Sequence, residues 1–306
     1  MVPASGETNK VSKSKKMVTG AAGFIGRRLT SELLGKGYRV RCMVRQDAPG
    51  IPAAAETVRA DLLQPLTLGP ALEGIDTAYY LVHSMSGGRA GFERRDREAA
   101  ENFVAAADKA GVRRVIYLGG LGETGDDLSE HLRSRLAVAD ILKTGPFATT
   151  FLRAAIIIGA GGASFEMVRS LVNRLPVMIT PRWVTTRCQP IAVDDVIAYL
   201  AGCLADERTS GRTFDIGGPE VLTYKEMMER FGRIEGRTLF ILPVPVLTPK
   251  LSSYWVGLIT PVPPSVSMPL IEGLKNEVVC RENAIREILP IRLTSYDDAV
   301  RKALAA

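Results

Sequence analysis

The sequence predicts an α/β protein, a doubly wound parallel sheet covered by helices on both faces and followed by a small C-terminal capping region. Three observations carry that expectation. Strand-like and helix-like segments alternate from residue 17 to about 218, the pattern of parallel strands joined by crossover helices. A first strand ending at Met17 and Val18 enters a glycine-rich turn, VTGAAGFIG at 18–26, and leaves it into an amphipathic run over 24–34. After Lys36-Gly37-Tyr38 a second strand over 39–45 closes a βαβ unit of the expected length. Together these predict a Rossmann-type sheet.

Residues 1–16 are rich in Ser, Lys and Asn and read as a disordered basic tail, with the Rossmann domain over 17–218 and the capping region over 219–306. Gly20, Gly23 and Gly26 sit where strand passes into helix, with Phe24 and Ile25 opening the helix. A strand, a tight turn and a helix in that order aim backbone N–H groups and the positive end of a helix at one spot, which suits a pyrophosphate. A Cβ would hold the phosphate off the backbone and resist left-handed dihedrals, hence glycine. Further strands are expected at 57–59, 77–82, 114–118, 150–158 and 213–216, and helices at 91–110, 129–143, 164–174 and 194–205. In the 91–110 stretch Ala99, Phe103, Val104 and Ala107 form one apolar stripe, while Glu93, Arg94, Arg97 and Glu101 face water. From Pro219 the chain is interrupted by prolines, with helices expected at 224–235 and near 295–304.

Composition narrows the function classes. The 306 residues allow one large domain and a smaller region, and 46% hydrophobic with 24% charged residues is ordinary for a globular chain. Of the net charge of +6, the tail supplies +3 through Lys10, Lys13, Lys15 and Lys16 against Glu7. The remainder suits a phosphate-bearing ligand, so no nucleic-acid partner is expected. Cys42, Cys188, Cys203 and Cys280 are scattered, and His83 and His131 are the only histidines. That pattern argues against disulfides and a metal site and predicts a cytoplasmic protein. The stretch 251–271 carries no charge, but Pro261, Pro263, Pro264 and Pro269 break any spanning helix. It reads as an apolar lid or pocket wall, with peripheral membrane contact as the alternative.

Two further positions bear on the dinucleotide. The carboxylate that would grip the ribose hydroxyls is absent: the strand ends at Val44, 18 residues beyond Gly26, and Arg45 follows. With no acid to repel a 2′-phosphate and a guanidinium to bind it, NADP(H) is expected over NAD(H). The alternative for Arg45 is a solvated strand-end charge. Asp61-Leu62 follows the third strand, where a carboxylate can accept from the adenine amine; the alternative is a turn or helix-cap aspartate.

The chain resembles the atypical short-chain dehydrogenase/reductases, in the NAD(P)H-binding subgroup related to NmrA-type proteins and to the nucleotide-binding accessory subunit of respiratory complex I. The resemblance is carried by VTGAAGFIG at 18–26, YYLVHSM at 79–85, RRVIYLGGLG at 113–122 and LSEHLRSR at 128–135. It continues through FLRAAIIIGAGGASFEMVRSLVNRLPVMITPRW at 151–183, QPIAVDDV at 189–196 and FDIGGPEVLTYKEMM at 214–228. It implies a phosphate turn at Gly20, Gly23, Phe24, Ile25 and Gly26, cofactor selection at Arg45 and an adenine contact at Asp61. It also implies that Leu81, Val82 and His83 pass under the nicotinamide ribose.

The wider family's Tyr-x-x-x-Lys pair is replaced here by His131-Leu-Arg-Ser-Arg135, and its serine after strand 5 by Gly119-Gly120. Residues i and i+4 share a helix face. His131 can exchange a proton near neutrality, and Arg135 can bind ribose or a developing oxyanion. The alternative is two surface residues left after the pair was lost. Tyr117, Glu166, Arg182, Trp183 and Arg187 are lesser candidates, with core packing favoured for Tyr117; Asp194 and Asp195 read as helix caps. The functional expectation is an NADP(H)-dependent oxidoreductase acting on a small apolar, carbonyl- or quinone-like substrate. The alternatives are a non-catalytic nucleotide-binding redox sensor or structural subunit, and a sugar-nucleotide epimerase or dehydratase, which needs the same missing tyrosine.

Overall fold

The computed structural model describes residues 14–82, 89–121, 130–244, 273–274 and 276–306, with side chains described except at 89–92, 130–133, 182 and 244. Seven parallel strands form the central sheet: β1 (Lys15–Val18), β2 (Arg39–Val44), β3 (Glu56–Arg59), β4 (Ile75–Tyr80), β5 (Arg114–Gly120), β6 (Ala148–Ala154) and β11 (Thr213–Ile216). Their order is β11-β6-β5-β4-β1-β2-β3. The chain therefore winds one way from β1 and the other way from β4, and the crevice at their carboxyl ends is where such sheets bind ligands.

One face is covered by α1 (Phe24–Gly35) and α6 (Val193–Ala205), whose Leu29, Leu33, Val196 and Leu200 share a core with Val18, Tyr79 and Ile116. The other face carries α2 (Leu68–Leu72), α3 (Arg89–Lys109) and α4 (Glu130–Lys143). There Phe103, Ala107, Val138 and Leu142 pack with Tyr80, Tyr117 and Phe151. The expected alternation is thus realised as two cores, one on each face.

The structure corrects the sequence expectations at four places. β1 begins at Lys15, inside the stretch read as tail, and Lys16 is buried in an ion pair with Asp76 at 2.7 Å. Its partner lies 60 residues away, so nothing local marks Lys16 as structural. The apolar run expected as one strand over 150–158 splits: β6 stops at Ala154, and β7 (Ile157–Ile158) pairs instead with β10 (Ile191–Ala192). A continuous apolar run looks the same whether or not the chain changes sheets within it.

A small lobe sits above the sheet's carboxyl edge. It contains α5 (Ala163–Arg174), α7 (Tyr224–Ile234) and α9 (Tyr296–Leu304), with ribbons of β8 (Val177–Pro181) against β13 (Phe240–Val244) and β9 (Arg187–Cys188) against β12 (Leu222–Thr223). Its core joins Phe165, Leu171 and Met178 to Met227, Phe231 and Val300, and so draws on both sides of the expected 218/219 boundary. Conversely, α8 (Ala284–Ile288) returns to the Rossmann side, where Ile285 joins the α1/α6 core.

The fourth correction concerns Asp194 and Asp195. The α6 N-cap is Ala192, without a side-chain cap bond. Asp195 instead accepts the Thr294 N–H at 2.8 Å and its hydroxyl at 2.9 Å, while Asp194 pairs with Lys302. These carboxylates tether the C-terminal segment. Asp215, buried at the end of β11, does likewise, holding Arg153 at 2.6 Å and accepting the Arg281 N–H at 2.9 Å.

Candidate functional site

At the switch point each glycine has its own steric reason. Gly20 has φ +63°, and a Cβ there would lie 2.6 Å from the Leu81 carbonyl oxygen at the end of β4. The Gly23 N–H donates to Gly20 O at 2.9 Å and closes the turn. A Cβ on Gly26 would lie 2.3 Å from Gly20 O, so only glycine lets α1 start this close to the turn. Buried Thr19 fixes the flanking strands, its hydroxyl donating to Tyr79 O at 3.0 Å and accepting the Leu81 N–H at 3.0 Å. α1 has no side-chain cap at Gly23, so its first-turn N–H groups face outward with the positive helix end behind them. A cradle that any Cβ would fill, lined by orphan donors, fits a dinucleotide pyrophosphate.

From this turn a cleft of about 530 Å³ runs over the sheet edge and under the small lobe. Gly20, Gly23–Gly26 and Leu81 line its inner end, and 118–121 with Arg135 line its middle. Met167, Leu171, Met227, Met228, Tyr224 and Trp183 line the outer end. Among the described residues Arg135 is the one charged residue in the lining, and no carboxylate lines it. The Arg135 Nε and the Trp183 Nε1 are both buried without a hydrogen-bond partner among the described residues. The Trp183 ring stands edge-on to Tyr224 at 5.9 Å, and burial holds the Tyr224 hydroxyl well above its ordinary pKa. Nearby, Cys188 Sγ lies 3.1 Å from Met227 Sδ, and burial pushes its thiol up to about 12, so it stays protonated near neutrality.

Residues 20–165 match a family described as NAD(P)H-binding. Maize divinyl chlorophyllide a 8-vinyl-reductase is 26% identical over 259 residues, covering 77% of this chain and 63% of its own. The chain spans about three-fifths of that reductase's length. An Arabidopsis thaliana protein, NADH dehydrogenase [ubiquinone] 1 alpha subcomplex subunit 9, is 24% identical over 318 residues, covering 95% of this chain and 78% of its own. The chain thus carries an NAD(P)H-binding domain over residues 20–165 and is similar over most of its length to both of these proteins. The fold agrees: Citrobacter sp. triphenylmethane reductase complexed with NADP(H) superposes with a TM-score of 0.76 at 18% identity, over 94% of this chain and 99% of that one.

Against this cleft the expected residues separate into groups. Gly20, Gly23, Phe24, Ile25, Gly26, Leu81 and Arg135 converge on the cleft. Val82 follows Leu81 and packs beside Gly20. Arg45 is exposed just past β2, with no hydrogen bond or ion pair among the described residues. Asp61 accepts the Leu63 N–H at 3.0 Å, a turn contact that occupies one carboxylate oxygen. Leu62 is buried in the core, so only its main chain is placed to meet a ligand. His83 lies outside the described residues, as does 251–271; His131 lies on α4, its side chain likewise outside them.

Of the lesser candidates Trp183 lines the cleft, whereas Tyr117, Glu166 and Arg187 make structural contacts. Tyr117 is buried and stacked on Phe151 at 4.9 Å, as core packing requires. Glu166 accepts the Gly161 N–H at 3.1 Å, Arg187 is exposed beside Glu277, and the Arg182 side chain lies outside the described residues. Sequence reasoning missed the cleft role of Tyr224, Met227 and Met228. Their spacing along α7, with buried Phe231, is that of any buried helix stripe; the adjacent methionines were the one available signal.

Proposed function

We propose that this chain is an NADP(H)-dependent oxidoreductase acting on a small apolar carbonyl- or quinone-like substrate. The observation that carries the reading is the single cleft that joins the glycine cradle to an outer end walled by methionine, leucine and aromatic side chains. Backbone N–H groups at 24–26 hold the pyrophosphate. Arg45, free of protein partners among the described residues, takes the 2′-phosphate that distinguishes NADP(H). Asp61 has one carboxylate oxygen left for the adenine amine, and Leu81, Val82 and His83 support the nicotinamide ribose. When bound, the nicotinamide supplies or accepts the hydride. His131 exchanges a proton with the substrate oxygen, and Arg135, one turn along α4, stabilises negative charge there. The free state of all four cysteines suits a reducing cytoplasm. Among the described residues no helix is long and apolar enough to cross a membrane.

Nucleotide-dependent reduction of a panel of quinones and apolar carbonyls, followed as NADPH oxidation, tests the reading. Turnover is expected, with kcat falling about 100-fold in His131→Ala at unchanged NADPH affinity. The absence of turnover with redox-dependent nucleotide binding retained would favour the second reading, a non-catalytic sensor or structural subunit. That reading is supported by the replaced Tyr-x-x-x-Lys pair and by a relative named as a respiratory-complex subunit. A sugar-nucleotide epimerase is less well served, because the outer lining offers few partners for a hydroxylated sugar.

A further inference from the structure

Six large hydrophobic residues stand exposed among the described residues, and four of them share one face of the small lobe. Val177, Ile179, Phe240 and Leu242, on the parallel ribbon of β8 and β13, are 56–66% exposed. Phe240 lies opposite Val177 and Leu242 opposite Ile179, so the four side chains form one contiguous patch. The alternate residues Met178 and Ile241 turn inward and join the lobe core. A contiguous exposed apolar face marks an interaction surface, whereas single exposed side chains do not.

The charges around the ribbon point to the kind of surface it fits. Residues 174–182 and 236–271 contain Arg174, Arg182, Arg237 and Lys250 and no acid. The Phe240 N–H donates to Pro176 O at 2.9 Å and Arg237 Nη1 to Asn173 O at 3.3 Å, so Arg174 and Arg237 stand at the same end of the ribbon. The nearest acid before β13, Glu235, has its Oε2 buried. An apolar centre with a cationic margin matches the acyl and headgroup layers of an anionic bilayer. A second copy of the chain would set arginine against arginine across a two-fold contact.

We propose that the small lobe docks on an anionic phospholipid bilayer through the exposed β8/β13 face. Docking is independent of the reaction proposed above. β8 leads directly into the turn Arg182–Thr185, whose Trp183 lines the outer end of the cleft. Contact through the ribbon therefore brings that end toward the lipid, where apolar molecules partition.

Cosedimentation of the whole chain with phosphatidylcholine vesicles, with and without phosphatidylglycerol, tests the docking. The unmutated protein should sediment with the anionic vesicles and less with the neutral ones. Phe240→Ser with Leu242→Ser should weaken partitioning about tenfold or more, since two apolar side chains no longer enter the lipid. Arg237→Gln should weaken binding to the anionic vesicles about fivefold and leave binding to the neutral ones nearly unchanged. These variants should keep the melting temperature and the NADPH affinity of the unmutated protein. Failure of the unmutated protein to sediment with either vesicle, or undiminished partitioning of the doubly substituted protein, would overturn the inference. Without vesicle binding, a melting temperature lowered by the two serines would give the face to the chain itself. A dimer that they dissolve in sedimentation velocity would give it to a second copy, and either result overturns docking on lipid. Vesicle binding without NADPH oxidation would sink the oxidoreductase reading and leave the docking standing. Turnover without vesicle binding would do the reverse.

Discussion

The two ends of the cleft are built from different material. The inner end is main chain: Gly20, Gly23 and Gly26 bring peptide groups within 2.3–3.1 Å of where a Cβ would sit, and the donors offered are backbone N–H groups. The outer end is side chain, with Met167, Met227, Met228 and Leu171 setting its shape beside Tyr224 and Trp183. A site made of backbone tolerates one residue type at each close approach, whereas a pocket made of flexible apolar side chains tolerates many. The inner end is therefore rigid and suited to dinucleotides in general, and the outer end is adaptable in shape.

The sharpest way to break this contrast is Gly26→Ala. The new methyl would meet Gly20 O at 2.3 Å and the Ala21 Cα at 2.7 Å, backbone atoms that cannot rotate away. Stability should fall by about 1–3 kcal/mol in thermal melts, as overpacking costs. Nucleotide affinity by fluorescence titration should fall about 100-fold or more, since donors placed by backbone geometry lose their aim together. Gly35→Ala, at the last residue of α1 with nothing within 4 Å, is the control and should change stability by less than about 1 kcal/mol. At the outer end Met228→Leu should cost less than about 1.5 kcal/mol and leave nucleotide affinity unchanged. Comparable losses of nucleotide binding in Gly26→Ala and Met228→Leu would erase the distinction.

Arg45 sharpens the contrast from outside the cleft lining. The cradle at the pyrophosphate is backbone, whereas in the proposed function the choice between nucleotides rests on one exposed side chain past β2. Titration should show NADPH bound more tightly than NADH. Arg45→Asp should narrow or reverse that preference by about tenfold, the scale of one charge-assisted contact, without altering NADH affinity as strongly. Equal affinities for the two nucleotides in the unmutated protein would remove Arg45 from the account.

The same contrast governs what the sequence made legible. The doubly wound parallel sheet and the glycine turn were readable because each depends on local pattern or on glycine. The outer end was not, because Tyr224, Met227 and Met228 satisfy the helical core stripe of α7 equally well whether or not a cleft lies above them. Trp183 stood among the candidates, but its place in the cleft beside Tyr224 is a tertiary fact. Long-range tethers were invisible for the same reason. Lys16 read as tail until Asp76 closed on it, and Asp195 read as a cap until Thr294 took both of its oxygens.

That last tether yields the smallest effect and the one that separates the two ends by pH. The inner turn is held by peptide hydrogen bonds, which do not titrate, whereas the C-terminal segment hangs partly on Asp195. Burial pushes the Asp195 carboxyl above its ordinary range, against the lowering bonds from Thr294 and with a further upward push from Asp194. The native state therefore binds this proton more readily than the unfolded chain does. The associated stability is fully present below the unfolded carboxylate pKa, about 3.9, and is lost as pH rises through the raised native value. Asp195→Asn keeps one oxygen for the Thr294 N–H and lets the rotated hydroxyl accept from the amide, without a buried charge. Thermal melts should show Asp195→Asn gaining on the order of 2 °C at pH 7, with the gain vanishing at pH 3 and nucleotide affinity unchanged at both. A loss of stability at pH 7 would mean that the charged tether outweighs its burial.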